Sequence, residues 1–220
     1  MRFAYYPGCV AQESGRELDM ATRWVCQKLG IELVEVPKFA CCGSGFVDEA
    51  NSVLNTAINA RNLALAESAQ LDILTICSTC QGMLSLAQLR MKDPKVRPRV
   101  DGALNEIGLT FRGTAKVRHL LSVLTQEYGI PKLAPLVTRP LRGLKVGAFY
   151  GCHLLRPADE LGNDTGEEPT YFEALIQALG AEPVYYRGRV MCCGFPILFV
   201  KEPTANRIAA TQIDDARLHG

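Results

Sequence analysis

Eight of the nine cysteines in this 220-residue chain stand in a repeated arrangement. "FACCGSG" at residues 39–45 places Cys41 beside Cys42, and "VMCCGFP" at residues 190–196 places Cys192 beside Cys193. One cysteine precedes each pair: Cys9 in "YYPGC" and Cys152 in "FYGC". Cys77 and Cys80 follow the first pair as a CxxC. Adjacent cysteines rarely bond each other, because the ring they would close is strained. The N-terminus "MRFAYYPGCV" lacks the apolar run of about 7–15 residues that marks a signal peptide, so thiols are expected to stay reduced. Cysteine enrichment then points to metal or redox chemistry over disulfide staples. A bare CxxC is shared by zinc ribbons, thioredoxin-like motifs and iron–sulfur sites. Spacing and placement have to separate these.

Placement follows from the elements around the thiols. "RFAYYPGC" reads as a strand ending in a Pro-Gly turn that presents Cys9. Ser14 is a candidate cap for a helix with Leu18, Ala21, Val25 and Leu29 on its apolar face, stopped by Gly30. "IELVEVP" is the next strand, closed by Pro37, and "ACCGSG" is the loop after it. Asp48 opens an Ala- and Leu-rich helix to about residue 70, and "LDILTIC" is a buried strand with Cys77 and Cys80 just beyond its end. Strand, helix, strand, helix, strand predicts a parallel α/β unit. Its cysteines fall in loops at the carboxyl ends of strands, where open α/β sheets place ligands. Five thiolates converging there exceed the four that a tetrahedral zinc takes.

From Leu144 the pattern returns. "LKVGAFYGC" matches "RFAYYPGC", a helix is expected at about 169–179 and closes with Leu179-Gly180 as the earlier one does with Leu29-Gly30, and "EPVYYRGR" is the strand before Cys192-Cys193-Gly194. A last helix runs from about Pro203 toward His219. The expected architecture is therefore α/β, with two pseudo-repeated, Rossmann-like parallel-sheet halves. The first CCG half covers residues 1–83 and the second 144–220, with charged helices and a linker inserted at 84–143. The repeat is incomplete: the step that leads from Cys42 to Cys77, taken again from Cys193, runs past Gly220. The second half thus lacks a closing strand and its CxxC. The chain is either a fragment of a longer protein or a natural variant with one complete cysteine set, and the unpaired sheet edge favours the fragment.

The cysteine spacing, together with "YYPGC", "VRHLLSVL" and "YGCHLLRP", resembles the cysteine-rich CCG-domain family over essentially the whole chain. The best-known member of that family is the CCG-bearing subunit of heterodisulfide reductase. The resemblance implies that each CCG motif ligates a noncubane [4Fe-4S] cluster in which paired cysteines bridge irons. By carry-over, Cys9, Cys41, Cys42, Cys77 and Cys80 hold the first cluster, and Cys152, Cys192 and Cys193 match the second. It implies an oxidoreductase acting within a complex: electrons arrive from an iron–sulfur electron-donor subunit, like that of heterodisulfide reductase, and reduce a small disulfide to thiols. Relatives imply an alternative, a quinone-linked electron-transfer subunit of a succinate, glycolate or lactate dehydrogenase-like complex. A third reading is a structural zinc module.

Other residues sharpen or exclude. His153, beside Cys152, is a candidate catalytic proton donor to a departing thiolate. His119 is expected on a helix or against the core, and Cys26, mid-helix, as a small buried hydrophobe. Lys38, Arg156, Arg187 and Arg189 flank the cysteine loops, where solvated surface charge is the plain reading and collective compensation of a thiolate cluster the sharper one. A net charge of +1 gives no reason to expect a nucleic-acid partner. No apolar stretch approaches the ~18 residues of a spanning helix, so the expected location is cytoplasmic, peripheral to a membrane only through a complex. No G-x-G-x-x-G follows a strand, so a bound nicotinamide or flavin has no support.

Overall fold

The computed structural model describes residues 1–156 and 168–220. It divides into two compact units, Met1–Leu120 and Leu121–Gly220. In the first, β1 (Arg2–Tyr6), β2 (Glu32–Glu35), β3 (Asp72–Thr75) and β4 (Val117–His119) form one parallel sheet in the order β2-β1-β3-β4. β1 lies inside the sheet, with Phe3 opposite Leu33 on one side and Asp72 on the other. Phe3, Ala4, Tyr5 and Tyr6 are all buried, as expected of a strand covered on both faces. The chain leaves β1 in one direction to β2 and in the other to β3, which makes the β1/β3 junction the topological switch point.

Helix α1 (Cys9–Gln12) and helix α2 (Arg16–Lys28) follow β1. Gly30 closes α2: its N–H reaches the Gln27 carbonyl and that of Ile31 the Cys26 carbonyl. Ser14 does not cap α2. Gly15 occupies that position without a side-chain bond, and the turn is tied instead by the Gly15 N–H to the Val10 carbonyl. The buried side of α2 is Thr22 and Cys26, while Leu18 is 52% exposed. The apolar face expected from the sequence is therefore rotated toward solvent. Asp48 does not open the long helix either. It lies within α3 (Ser44–Ala50), and α4 (Ser52–Ser68) starts at Asn51, whose side chain accepts from the Leu54 N–H at 3.0 Å.

After β3 come α5 (Ser78–Arg90) and α6 (Arg97–Glu106). The stretch read as an insertion is largely helical but also supplies β4, whose Val117 pairs with Ile73. The strand in "KVRHLLSVL" carries only three residues of ladder, too short for its alternation to register in the sequence. The Ala60, Leu63, Ile73, Leu84, Val100 and Leu104 side chains join β3, α4, α5 and α6 in one core.

In the second unit, α7 (Leu120–Ser122) runs into a π-helical stretch and α8 (Ile130–Leu133). β5 (Lys145–Gly147) pairs in parallel with β6 (Glu182–Val184), and α9 (Tyr171–Ala178) lies between them in sequence. Gly180 closes α9 as Gly30 closes α2, with the Gly180 N–H on the Gln177 carbonyl and that of Ala181 on the Ile176 carbonyl. Both strands are shorter than their sequence signals. Pro183 brings no N–H to the ladder, and beyond Gly147 the chain turns so that the Tyr150 N–H meets the Arg189 carbonyl at 2.8 Å. α10 (Glu202–His219) follows at the C-terminal side.

Candidate metal centre

Three strand ends deliver the first set of thiols. Pro7 and Gly8 lead from β1 to Cys9 at the start of α1, the loop beyond β2 carries Cys41 and Cys42, and Cys77 sits at the N-terminus of α5, which carries Cys80 one turn in. All five lie at the carboxyl edge of the sheet around the β1/β3 junction. Cys42 and Cys80 are buried at 2% and 3% exposure, Cys77 is half-buried, and Cys9 and Cys41 are exposed. Gly8 is required by closeness: a Cβ there would stand 3.0 Å from the Cys80 sulfur.

The thiols form one linked set. The Cys42 and Cys80 sulfurs are 3.5 Å apart, within hydrogen-bond reach. Cys80 is the one held protonated: its hydrogen bonds to Cys42 and Cys77, with burial, push its pKa well up. The same bonds from Cys80 hold Cys42 below the usual thiol value and bring Cys77 down to about 6, with the N–H group of Ser44 helping the first and those of Cys80 and Thr79 the second. Burial raises Cys41, which also faces Cys42 and Cys9. Tyr6, packed edge-on against Phe39 and donating to the Ala40 carbonyl, lies beneath the set, and burial plus the neighbouring thiolates raise its pKa.

The second set is thinner. Cys152 follows Gly151 after β5, and Cys192 and Cys193 sit between two 3₁₀ turns, Arg187–Val190 and Phe195–Ile197. Cys152 is half-buried and its pKa is raised by burial and by Cys192, which bonds it; Cys192 and Cys193 are exposed. His153 is half-buried, and burial lowers its pKa toward the neutral ring.

The two Cys-Cys-Gly loops share a backbone. In each, the N–H two residues on turns to each sulfur: Gly43 to Cys41 and Ser44 to Cys42, then Gly194 to Cys192 and Phe195 to Cys193, the last two at 3.4 Å. Such donors stabilise thiolate. Gly43 at φ 76° and Gly194 at φ 84° adopt the left-handed turn this requires, which glycine enters without steric cost. The positions are also closed to any larger residue. A Cβ on Gly43 would lie 2.9 Å from the Asn55 side chain, and one on Gly194 2.8 Å from the Ala205 carbonyl.

The flanking cations divide. Lys38, Arg156 and Arg187 are exposed. Arg189 is buried and does not serve the thiols: it pairs with Glu173 at 3.4 Å, bonds the Pro169 carbonyl at 2.8 Å, and lies over the Tyr150 ring. Tyr150 donates to Glu173 in turn. His119 lies on β4, not on a helix, and burial brings it down to about 4. Cys26 is fully buried, as the sequence indicates.

Sequence reasoning passed over three asparagines of α4, Asn55, Asn59 and Asn62, all buried and all bonded to the first cysteine loop. The signal was available. Asparagine is a poor helix former, and its recurrence at four- and three-residue steps sets all three on one face.

The donors at the first site suit a multi-iron sulfur cluster: five thiols at one sheet edge, three of them sheltered, with N–H groups directed at the sulfurs. Among the described residues no three Cys, His, Asp or Glu side chains surround a single-ion position. Among the described residues no helix is long and apolar enough to cross a membrane.

The chain is 37% identical over 97% of its length to the 8-methylmenaquinol:fumarate reductase membrane anchor subunit of Wolinella succinogenes, covering 74% of it. It is 36% identical over 88% of its length to one subunit of the ferredoxin/F(420)H(2)-dependent CoB-CoM heterodisulfide reductase of Methanosarcina acetivorans. A subunit of the ferredoxin:CoB-CoM heterodisulfide reductase of Methanosarcina mazei is 34% identical over the same share, and the chain spans 65% of each methanosarcinal relative. The family model for the CCG cysteine-rich domain matches twice, at residues 3–85 and 146–220. The chain belongs to the CCG cysteine-rich domain family.

Proposed function

We propose that this chain is an iron–sulfur redox subunit of the heterodisulfide reductase type, working within a larger complex. The observation that carries the reading is the linked set of five thiols at the switch point of the first sheet. Cys9, Cys41, Cys42, Cys77 and Cys80 would hold a noncubane [4Fe-4S] cluster there, and Cys152, Cys192 and Cys193 would contribute to a second. Adjacent cysteines would offer such a cluster two sulfurs from one short loop. A bound cluster supplies one-electron transfer in a site whose charge and hydration the protein sets.

The net reaction is a disulfide taking two electrons and two protons to give two thiols. An iron–sulfur partner, of the kind that feeds electrons to heterodisulfide reductase, would deliver the electrons. The N–H groups of the two loops favour the thiolate form, and His153 would donate to a product thiolate only from its protonated form, which its burial disfavours. A second reading, quinone-linked electron transfer, is favoured by the 37% identity over nearly the whole chain to a subunit named for a menaquinol reductase.

The test is oxygen-free purification with iron, acid-labile sulfide and zinc measured per chain. About four irons with matching sulfide support one cluster and about eight support two; one zinc without sulfide overturns the redox reading. Oxidation of reduced viologen by a disulfide, against the same assay with a menaquinone analogue, separates the two readings.

A further inference from the structure

The three buried asparagines of α4 direct their side chains at the first cysteine loop, the helix itself and the Tyr6 hydroxyl. Asn55 donates to the Cys42 carbonyl at 3.0 Å and to the Ser44 carbonyl at 3.4 Å. Asn59 donates to the same Cys42 carbonyl at 3.0 Å and to the Asn55 carbonyl and side-chain oxygen at 2.9 and 3.2 Å. Asn62 grips Ala40 twice, donating to its carbonyl at 3.0 Å and accepting from its N–H at 2.9 Å, and lies 3.4 Å from the Tyr6 hydroxyl. Asn55 is 1% exposed and the other two are fully buried.

We propose that Asn55, Asn59 and Asn62 are positioning residues for the metal centre, a ladder that fixes the backbone on both sides of Cys41 and Cys42. Burying three amides in a helix is costly unless each is bonded. Here the bonds run to a loop that lies beyond the end of its strand. The Cys42 carbonyl has two acceptor positions, and Asn55 and Asn59 fill both. Its negative end is thereby turned into α4 and away from the thiols, while the N–H groups of Gly43 and Ser44 stay on the sulfur side. Asn62 and the Tyr6 hydroxyl together fill the Ala40 carbonyl, one residue before the pair. Among the described residues the buried Asn59 side-chain oxygen meets no hydrogen-bond donor, so the amide is held for its donor end. Partners at this remove from a metal typically change its affinity about 10–100-fold. The inference rests on the iron–sulfur reading above.

Asn59→Leu keeps roughly the side-chain volume and removes the donor, leaving the Cys42 carbonyl to Asn55 alone. In the anaerobically purified full chain, Asn59→Leu is expected to release iron to a chelator about 10–100-fold faster than wild type. Its EPR spectrum should change and its reduction should shift to lower potential. Circular dichroism at the same temperature confirms that the variant is folded. A merely structural asparagine would lower the melting temperature and leave the spectrum and potential of the loaded protein alone; that result overturns the proposal. If Asn59→Leu does not fold, Asn55→Ala decides, since Asn59 still bonds Cys42: a smaller change in the same direction supports the ladder, and wild-type release and spectrum overturn it. A wild-type chain without iron and sulfide overturns the cluster reading and the ladder with it, whereas a loaded wild type with indifferent variants overturns the ladder alone.

Discussion

The two Cys-Cys-Gly loops have the same backbone and opposite support. Both turn through a left-handed glycine and direct paired N–H groups at their sulfurs. The first is clamped by side-chain amides from the helix that follows it, shelters Cys42 and is joined by a CxxC. The second has Ala205 of α10 at its glycine, where a larger residue could not fit, and leaves Cys192 and Cys193 exposed. Its polar fastening lies earlier in the path, where buried Arg189 and Glu173 tie the preceding turn to α9 and to the segment after β5. The Asp215 carboxylate of α10 holds the same turn by the Gly188 N–H at 2.7 Å. A duplicated backbone therefore specifies where thiols can stand. The side chains behind it decide how firmly and how dry.

The comparison breaks most sharply by removing one thiol from each loop. Cys42→Ala should abolish iron binding at the first site, because it removes a sheltered sulfur linked to Cys80. Cys193→Ala should leave the iron content of that site at its wild-type level. Iron and sulfide per chain measure both, and loss of all iron in either single variant would mean that the loops act as one centre. Next in size is the second loop's ion pair. Glu173 is 1% exposed, so Glu173→Ala strands the Arg189 charge in the interior. It should cost about 3–5 kcal/mol, read from urea unfolding followed at the second unit, with chelator resistance of the first-site iron unchanged.

Much of this was legible in the residues. The β1, β2 and β3 strands, their alternation with helices, the eight patterned cysteines and the Leu-Gly helix closures at Gly30 and Gly180 all follow from spacing and turn chemistry. What escaped depends on partners distant in sequence. β4 is three residues long and exists because Ile73 offers it an edge. Leu18 reads as part of an apolar helix face, yet α2 packs through Thr22 and Cys26 and leaves it exposed. Arg189 reads as a surface cation until Glu173, brought in by α9, neutralises it. The asparagine ladder is written in α4, but its meaning needs the loop carbonyls that fold back onto it.

The glycines test the shared backbone itself. Gly43→Ala and Gly194→Ala each force a Cβ into a left-handed turn, at about 1–2 kcal/mol. The contacts then differ: a Cβ at Gly43 meets side-chain atoms of Asn55 and Val47 at 2.9 Å, whereas one at Gly194 meets the Ala205 backbone. Gly194→Ala should therefore be the more destabilising of the pair in thermal melts. The reverse order would place the tighter loop in the first unit's glycine and not in its amides.

The smallest effect concerns thiol reactivity in metal-free protein, and it contrasts one patterned cysteine with the unpatterned one. Cys77, with its pKa lowered to about 6 chiefly by the Cys80 hydrogen bond, is mostly thiolate at pH 7. Cys26, pushed up to about 11 by burial, is protonated there and has no access to reagent. Since the thiolate is the nucleophile, iodoacetamide labelling of Cys77 should rise through about pH 6 and level off above it, while Cys26 stays unlabelled until the chain unfolds. Lowering the pH below 6 protonates Cys77 and removes both its reactivity and the bond from Cys80. Peptide mapping after a pH series reads each site separately. A Cys77 profile that rises only near the ordinary thiol range would show that the Cys80 thiol, with the Cys80 and Thr79 N–H groups behind it, does not hold the sulfur in solution. The first pocket would then lack the preorganisation that distinguishes it from the second.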